Sequence, residues 1–376
     1  MSEAEHIPTH IVMLANSGHK AFDTRIFHKE AKSLTRAGFT VSIIIPHNSD
    51  EEIDGISILS ISIYRKGWNK LIRSPWLVYK RALQQPKDSW FHLHDSELLW
   101  IGVLLKCRGR KVIYDAHEDT PLQIAYQHWI PKLLRKPYAI AYFLLEKLSG
   151  YLFDAIIVAE PVIAKYFPHH KTVLIRNFPV ISSFENFQPE KYALRENRIV
   201  YVGLLSKARG IVEMVEGAVL AKKKIEFNFV LGGEFSPASL QYEILSNYPV
   251  EFLSWVPFEK LVALLFQSKI GIIVPHPLER YKTNYPVKLF EYMAAGLPVI
   301  ASKYGEAAKF VKEADAGILV DPMSPLEIAE AITWLFQHPE EAEAKGHRGR
   351  VKTLENWNWE KESNTLIDLY KRLTII

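Results

Sequence analysis

Lys288 and Glu291 stand three residues apart in Pro286-Val-Lys-Leu-Phe-Glu-Tyr-Met-Ala-Ala-Gly296-Leu-Pro298. Pro286 and Gly296 read as the start and stop of a short helix. That puts Lys288 in the first turn and Glu291 one turn deeper on the same face. A first-turn cation suits an anion, and the carboxylate can accept hydrogen bonds from sugar hydroxyls. The spacing fits equally well a surface ion pair worth only ~0.2–0.5 kcal/mol. A second candidate is Gly203-Leu-Leu-Ser-Lys207-Ala-Arg209-Gly210, a glycine-bracketed loop running into a helix from Ile211. Backbone N–H groups, a helix N-terminus and a guanidinium together suit a phosphate. An ordinary strand-to-helix loop with solvated cations is the alternative. In the first half, His94-Asp95 and Asp115-Ala-His117-Glu118-Asp119 each end an apolar run. Asn16-Ser-Gly18 ends another, and Gly18 would let the backbone approach a ligand closely. These polar groups are either strand-end caps or ligand contacts. His92, His94, His117 and Asp119 are also metal-ligand types, but no His-Glu-x-x-His and no Asp-x-Asp accompanies them.

Residues placed in this way need strands that stop in register beneath them. Short Val/Ile-rich runs alternate with amphipathic segments: His10–Ala15, a helix over Asp23–Arg36, Phe39–Ile45, Trp90–His94, Ser96–Lys106, Lys111–Asp115, Tyr126–Leu148 and Ala155–Ala159. The stretch Asn177–Glu196 loses the periodicity and reads as an interdomain connection. The alternation then restarts with strands at Ile199–Gly203, Phe227–Leu231, Val250–Leu253, Ile270–Val274, Pro298–Ala301 and Gly317–Val320, and closes with helices near Pro325–Phe336 and Trp359–Leu373. Apolar strands alternating with helices predict parallel sheets covered on both faces. The fold class is therefore α/β, with two doubly wound, Rossmann-like domains facing a cleft. Ligands in such sheets bind beyond the carboxyl ends of the strands.

Composition sets the limits. The chain has 376 residues, 48% hydrophobic and 23% charged, which suits a globular protein and excludes disorder or a coiled coil. A net charge of +4 is too small to argue for nucleic acid. A single cysteine, Cys107, rules out an internal disulfide and a thiolate zinc site, in keeping with a cytoplasmic protein. Met1–His10 carries Glu3 and Glu5 without an apolar run, so no signal peptide is expected there. Pro137–Leu145 is about half the ~20 residues of a spanning helix. Trp129-Ile-Pro-Lys-Leu-Leu-Arg-Lys-Pro-Tyr138 mixes aromatics, leucines and cations. It is either a surface anchor for an anionic membrane or a core helix whose cations snorkel to water.

The second half resembles the retaining glycosyltransferases of family 4, which have the two-domain GT-B fold. The residues that carry the likeness are Tyr-Val-Gly203 with Arg209-Gly210, Pro286–Ile300 with Lys288 and Glu291, and Trp357-Asn-Trp359-Glu. Asp23-Thr-Arg25, His94-Asp-Ser-Glu-Leu-Leu, Val112–Asp119 and Arg176-Asn-Phe-Pro179 are similar to a bacterial subgroup that builds surface polysaccharides. Two positions differ from the family pattern: Thr283 replaces the first of two glutamates separated by seven residues, and Leu204 replaces an arginine.

The resemblance implies a first domain over residues 1–180, joined by a C-terminal helix 358–376, and a donor-binding domain over 181–357. It implies a nucleotide-sugar donor held by Gly18, Gly203, Arg209, Gly233, Val256, Thr283, Asn284, Lys288 and Glu291. His117, Arg209, Lys288 and Glu291 are the expected catalytic residues. The acceptor would be a glycan or a lipid-linked sugar. No metal and no further cofactor is expected, and peripheral attachment at the inner face of the plasma membrane would follow from a lipid-linked acceptor. A nucleotide-sugar epimerase of the same fold, a metal-dependent hydrolase built on His94, His117 and Asp119, and a non-catalytic sugar-nucleotide binder are the competing readings.

Overall fold

The computed structural model describes residues 9–16, 19–64, 69–117, 120, 132–185, 187 and 191–375. The chain divides into two compact units, one of residues 1–177 with 362–376 and one of residues 178–361. Local packing sets where the division falls. The Phe178 ring lies 4.6 Å from that of Phe290 in the second unit's core, and Glu360 accepts hydrogen bonds from the N–H groups of Ile181 and Ser182. Glu362, two residues on, instead accepts from Arg176 N–H at 2.7 Å in the first unit.

The first unit is built on eight strands: β1 (His10–Leu14), β2 (Thr40–Pro46), β3 (Glu51–Ile53), β4 (Ile56–Ile61), β5 (Trp90–Leu93), β6 (Lys111–Ala116), β7 (Ala155–Val158) and β8 (Thr172–Leu174). Their spatial order is β3-β4-β2-β1-β5-β6-β7-β8, parallel except for the β3–β4 hairpin. The second unit has β9 (Arg198–Val202), β10 (Asn228–Gly232), β11 (Glu251–Leu253), β12 (Ile270–Ile273), β13 (Val299–Ser302) and β14 (Gly317–Val320), in the order β11-β10-β9-β12-β13-β14 and all parallel. Both are doubly wound α/β sheets. Continuous apolar runs are what a strand covered on both faces needs, and β1, β7 and β12 are buried along nearly their whole length.

Strand order locates where each sheet can hold a ligand. It reverses between β1 and β5 in the first unit and between β9 and β12 in the second, so each has a switch point beyond those strand ends. In the second unit the β9–β12 ladder runs only through Ile199↔Ile270 and Val200↔Gly271. Past it the strands part, and the Val202 N–H donates to the Tyr292 hydroxyl at 2.9 Å instead. Tyr292 belongs to the helix Val287–Ala294, so this bond fixes the helix against the end of β9.

Three strands were not anticipated from sequence. β3 and β4 join through Asp54-Gly55, both at positive φ, and β8 is a three-residue edge strand. The helix Pro339–Asn356 was also missed.

Candidate functional site

In the second unit, two glycines at positive φ end adjacent strands: Gly203 (φ 146°) after β9 and Gly233 (φ 128°) after β10. Close approach explains the residue type. An ideal Cβ on Gly233 would lie 2.0 Å from the Gly203 carbonyl oxygen, and one on Gly203 would lie 1.9 Å from Lys288 Nζ. Any side chain at 203 would therefore displace the lysine ammonium. Gly210 (φ 77°) caps the helix Ile211–Lys222, and its N-terminus opens beside Arg209. The loop between is tied down by His276, whose N–H donates to the Ala208 carbonyl at 3.0 Å and whose ring pairs with Glu213 at 3.0 Å.

Lys288 and Arg209 converge on one hydroxyl. Lys288 Nζ lies 4.7 Å from the centre of the Tyr201 ring and donates to its hydroxyl at 3.4 Å. The Arg209 guanidinium bonds the same oxygen and lies 5.9 Å from the Tyr281 ring centre. The Lys288 side chain is half-buried. Burial, and then repulsion from Arg209, push its pKa down to about 7, while Glu291 opposes the shift through its charge. Burial pushes the Tyr201 phenol up to about 12. Among the described residues Lys288 makes no ion pair within 4 Å, although the charge of Glu291, three residues on, acts on its ammonium. Two cations held together without a carboxylate between them are an anion site in electrostatic terms.

Around them lies a small cavity of about 40 Å³ lined by Tyr201, Arg209, Tyr281, Asn284 and Tyr304. Thr283 is half-buried beside Asn284. Val256 lies on the other flank, past β11, where the Gly233 N–H reaches the Ser254 carbonyl at 2.7 Å. Glu291 is half-buried one turn beyond Lys288. Sequence reasoning missed Tyr201 and Tyr292, the residues that aim the lysine and anchor its helix. Both lie inside the quoted motifs, but as apolar-looking members of buried runs.

In the first unit the polar residues gather at the ends of β1, β5 and β6. Asp95 accepts from the Asn16 N–H at 2.5 Å. His19 bonds Asp23 at 2.9 Å and faces the His117 ring at 5.7 Å between centroids. His117 is half-buried, with Nδ1 3.6 Å from Asp115 Oδ2. Gly18, Glu118 and Asp119 lie outside the described residues.

Beneath this surface is a fully buried charged cluster. Arg25 grips Asp115 with two hydrogen bonds of 2.7 and 2.8 Å and lies 3.0 Å from Glu30. His94 Nδ1 is 3.3 Å from Asp115, and His92 bonds the Tyr370 hydroxyl at 3.0 Å. Burial raises the Asp115 carboxyl, but Arg25, the neighbouring His117 and the hydrogen bond from His94 override it and hold it well below the carboxylate range. Burial leaves Glu30 well above that range and lowers both histidines. Glu30, His92, His94 and Asp115 each bring a possible ligand atom within 4.8 Å of the others. The Arg25 guanidinium supplies positive charge between the two carboxyl groups.

Comparison with known proteins agrees with this architecture. The model of Glycosyltransferase Family 4 matches residues 24–178, and that of Glycosyl transferases group 1 matches residues 182–352. D-rhamnosyltransferase WbpZ of Pseudomonas aeruginosa is 30% identical over 104 residues, 27% of this chain and 26% of that protein. The MMP alpha-(1->4)-mannosyltransferase of Mycolicibacterium hassiacum is 19% identical over 78% of this chain and 73% of its own length. The chain thus spans about a quarter of WbpZ, and under half of the D-inositol 3-phosphate glycosyltransferase of Corynebacterium efficiens, at 43%. Among solved structures, sucrose-phosphate synthase from Thermosynechococcus elongatus superposes with a TM-score of 0.74 at 18% identity, covering 98% of this chain and 99% of that one. HepE of Anabaena in complex with UDP and glucose gives 0.70 at 14% identity, covering 98% and 100%. Both likenesses establish the GT-B fold. One family model falls on each unit and together they take in most of the sequence: the chain belongs to the family 4, group 1 glycosyltransferases.

Proposed function

We propose that this chain moves a sugar from a nucleotide-sugar donor to a glycan or lipid-linked acceptor, with retention at the anomeric carbon, in the building of bacterial surface polysaccharide. The observation that carries the reading is the meeting of Lys288 and Arg209 at the Tyr201 hydroxyl, beside Gly203 and the helix N-terminus at Gly210. It is an anion site at the switch point of the sheet, where a diphosphate fits. The similar HepE structure is a complex with UDP and glucose, which supports a donor of that class here.

In this reading the donor diphosphate lies on Arg209, Lys288 and the backbone at Gly203 and Gly233. Asn284, Thr283, Val256 and Glu291 hold the rest of the nucleotide sugar, with Glu291 on the ribose. His117 contacts the donor sugar or the acceptor. The acceptor hydroxyl oxygen bonds to the anomeric carbon from the face the phosphate leaves. The bond from that carbon to the diphosphate oxygen breaks, and the departing oxygen takes the acceptor's proton. Charge grows on the diphosphate in the transition state, where Lys288 and Arg209 stabilise it, each by ~2.7–4 kcal/mol.

No metal has a role in this scheme, because the two cations and the helix N-terminus carry the diphosphate charge. Transfer from a responsive donor should therefore continue in excess EDTA, and proton NMR of the product should show the donor's anomeric configuration. Inversion, epimerised donor without a glycoside, or activity restored only by Mn²⁺ or Mg²⁺ would each remove the proposal.

Lys288 adds a pH signature. Below about pH 7 its ammonium is already charged; above it the ammonium is largely neutral and a bound diphosphate must recharge it. Affinity for a nucleoside diphosphate should therefore fall with rising pH, by up to about tenfold per unit between pH 7.5 and 9. Lys288→Arg keeps its charge throughout and should give a flat profile. Parallel slopes for the two proteins would exclude Lys288 as the group that takes up the proton.

A further inference from the structure

Glu213 is an acid in an awkward place. It lies in the first turn of the helix Ile211–Lys222, which Gly210 caps, and only four positions past Arg209. A carboxylate there favours a free helix N-terminus. The same charge repels any second anion brought to that terminus. The Glu213 side chain is only 14% exposed, so water screens it in part. Among the described residues no lysine or arginine lies within 4 Å of it, and its charge partner is His276, with Nε2 3.0 Å from Oε2. Lys207, on the same loop, pairs instead with Glu243 at 3.2 Å. Glu216, almost a turn further along the helix, accepts from the Tyr248 hydroxyl at 3.4 Å. His276 reaches Glu213 from the segment after β12. Its backbone N–H donates to the Ala208 carbonyl at 3.0 Å. Gly210 packs on the same segment, since a Cβ there would lie 2.2 Å from the Val274 carbonyl oxygen. His276 thus touches the chain on both sides of Arg209-Gly210, by its backbone before them and by its ring after them.

We propose that His276 is a charge screen for the donor site: as an imidazolium it neutralises Glu213, so that the diphosphate meets the helix N-terminus without a bare carboxylate beside it. The inference rests on the reading of Lys288 and Arg209 as the diphosphate site. His276 acts through Glu213, which makes it a positioning residue rather than a catalytic one. Left uncompensated, Glu213 would oppose the donor in two ways. It would repel the diphosphate directly. It would also compete for the Arg209 guanidinium, whose buried Nε has no hydrogen-bond partner. Holding the loop is the rival role for the same residue, and it does not need the ring. The bond to Ala208 and the packing of Gly210 on Val274 use only backbone atoms of the segment after β12. What the His276 side chain adds to them is its charge.

The test is isothermal titration of wild type, His276→Gln, Glu213→Gln and the double variant with UDP, GDP, dTDP and ADP at pH 7. For a nucleotide that the wild type binds, His276→Gln should weaken affinity about fivefold, the size of one uncompensated charge at a helix terminus. Glu213→Gln should bind at least as tightly as wild type. Adding Glu213→Gln to His276→Gln should restore the affinity, because no carboxylate is then left to screen. Wild-type affinity in His276→Gln would overturn this proposal and leave the diphosphate site standing. So would a double variant as weak as His276→Gln, since the ring would then act by holding the loop. A wild type that binds none of the four would remove the diphosphate reading and this inference with it.

Discussion

Replacing Lys288 with alanine should lower kcat for glycosyl transfer by about 10²–10³-fold while leaving the melting temperature near wild type. The fold has little to lose. Lys288 is partly desolvated, repelled by Arg209 and without an ion-pair partner among the described residues, so its removal relieves an unfavourable charge. The reaction loses a charge that faces the departing diphosphate, and the loss grows as the bond breaks. Glu291→Ala should differ in kind. Ribose hydrogen bonds are present in ground and transition states alike, so most of its loss should appear as weaker donor binding, with kcat nearer to wild type. If both variants keep wild-type kcat/KM, the helix Val287–Ala294 is a structural element and the donor site lies elsewhere.

The largest stability effect is expected in the other unit. Asp115→Asn keeps the shape of the side chain but leaves the fully buried Arg25 guanidinium with only Glu30, whose carboxyl is pushed well above the usual range by burial, as a charge partner. Breaking one side of such a pair costs ~3–5 kcal/mol. Removing both charges together, as Arg25→Met/Asp115→Leu, should cost less than the single change, because no lone ion is left inside. The pH dependence has a definite sign. The folded Asp115 carboxyl titrates well below its unfolded value near 4, so its stabilisation is complete above about pH 5 and is lost as the solution is acidified below that. Urea unfolding of the three proteins at pH 7 measures the costs. An Asp115→Asn protein as stable as wild type would mean that the cluster does not depend on this pair.

What could be read from the residues depended on whether the signal was local. The α/β alternation, the helix stop at Gly296 and the Asp23 cap, which accepts from the Arg25 and Ile26 N–H groups, are written within a few neighbouring positions. The glycines at 203 and 210 are local too, because positive φ demands the residue type at that place. The direction of the Lys288 side chain was not legible. Glu291, three residues away, and Tyr201, 87 residues away, compete for it, and only the folded sheet brings Tyr201 beneath the helix. Arg25 and Asp115 are separated by 90 residues, and neither looks like half of an ion pair in its own segment. β3 and β4 escaped notice because their short polar-apolar runs, Glu51-Glu-Ile53 and Ile56-Ser-Ile-Leu-Ser-Ile61, lack the continuous apolar character of the buried strands. The periodicity of the helical segment did not say which of its faces is covered, and only the packing of Tyr142 and Glu146 shows that Leu144 and Leu148 face outward.

The central claim is that the second unit holds a donor diphosphate on Lys288 and Arg209. Its most direct test is a thermal-shift titration of wild type, Lys288→Ala and Arg209→Ala with UDP, GDP, dTDP and ADP at pH 7. At least one nucleotide at about 100 times its dissociation constant should stabilise the wild type by ~2.7 kcal/mol, and the same nucleotide should shift neither variant at that concentration. A wild type that responds to none of the four, or variants that respond as it does, would contradict the account.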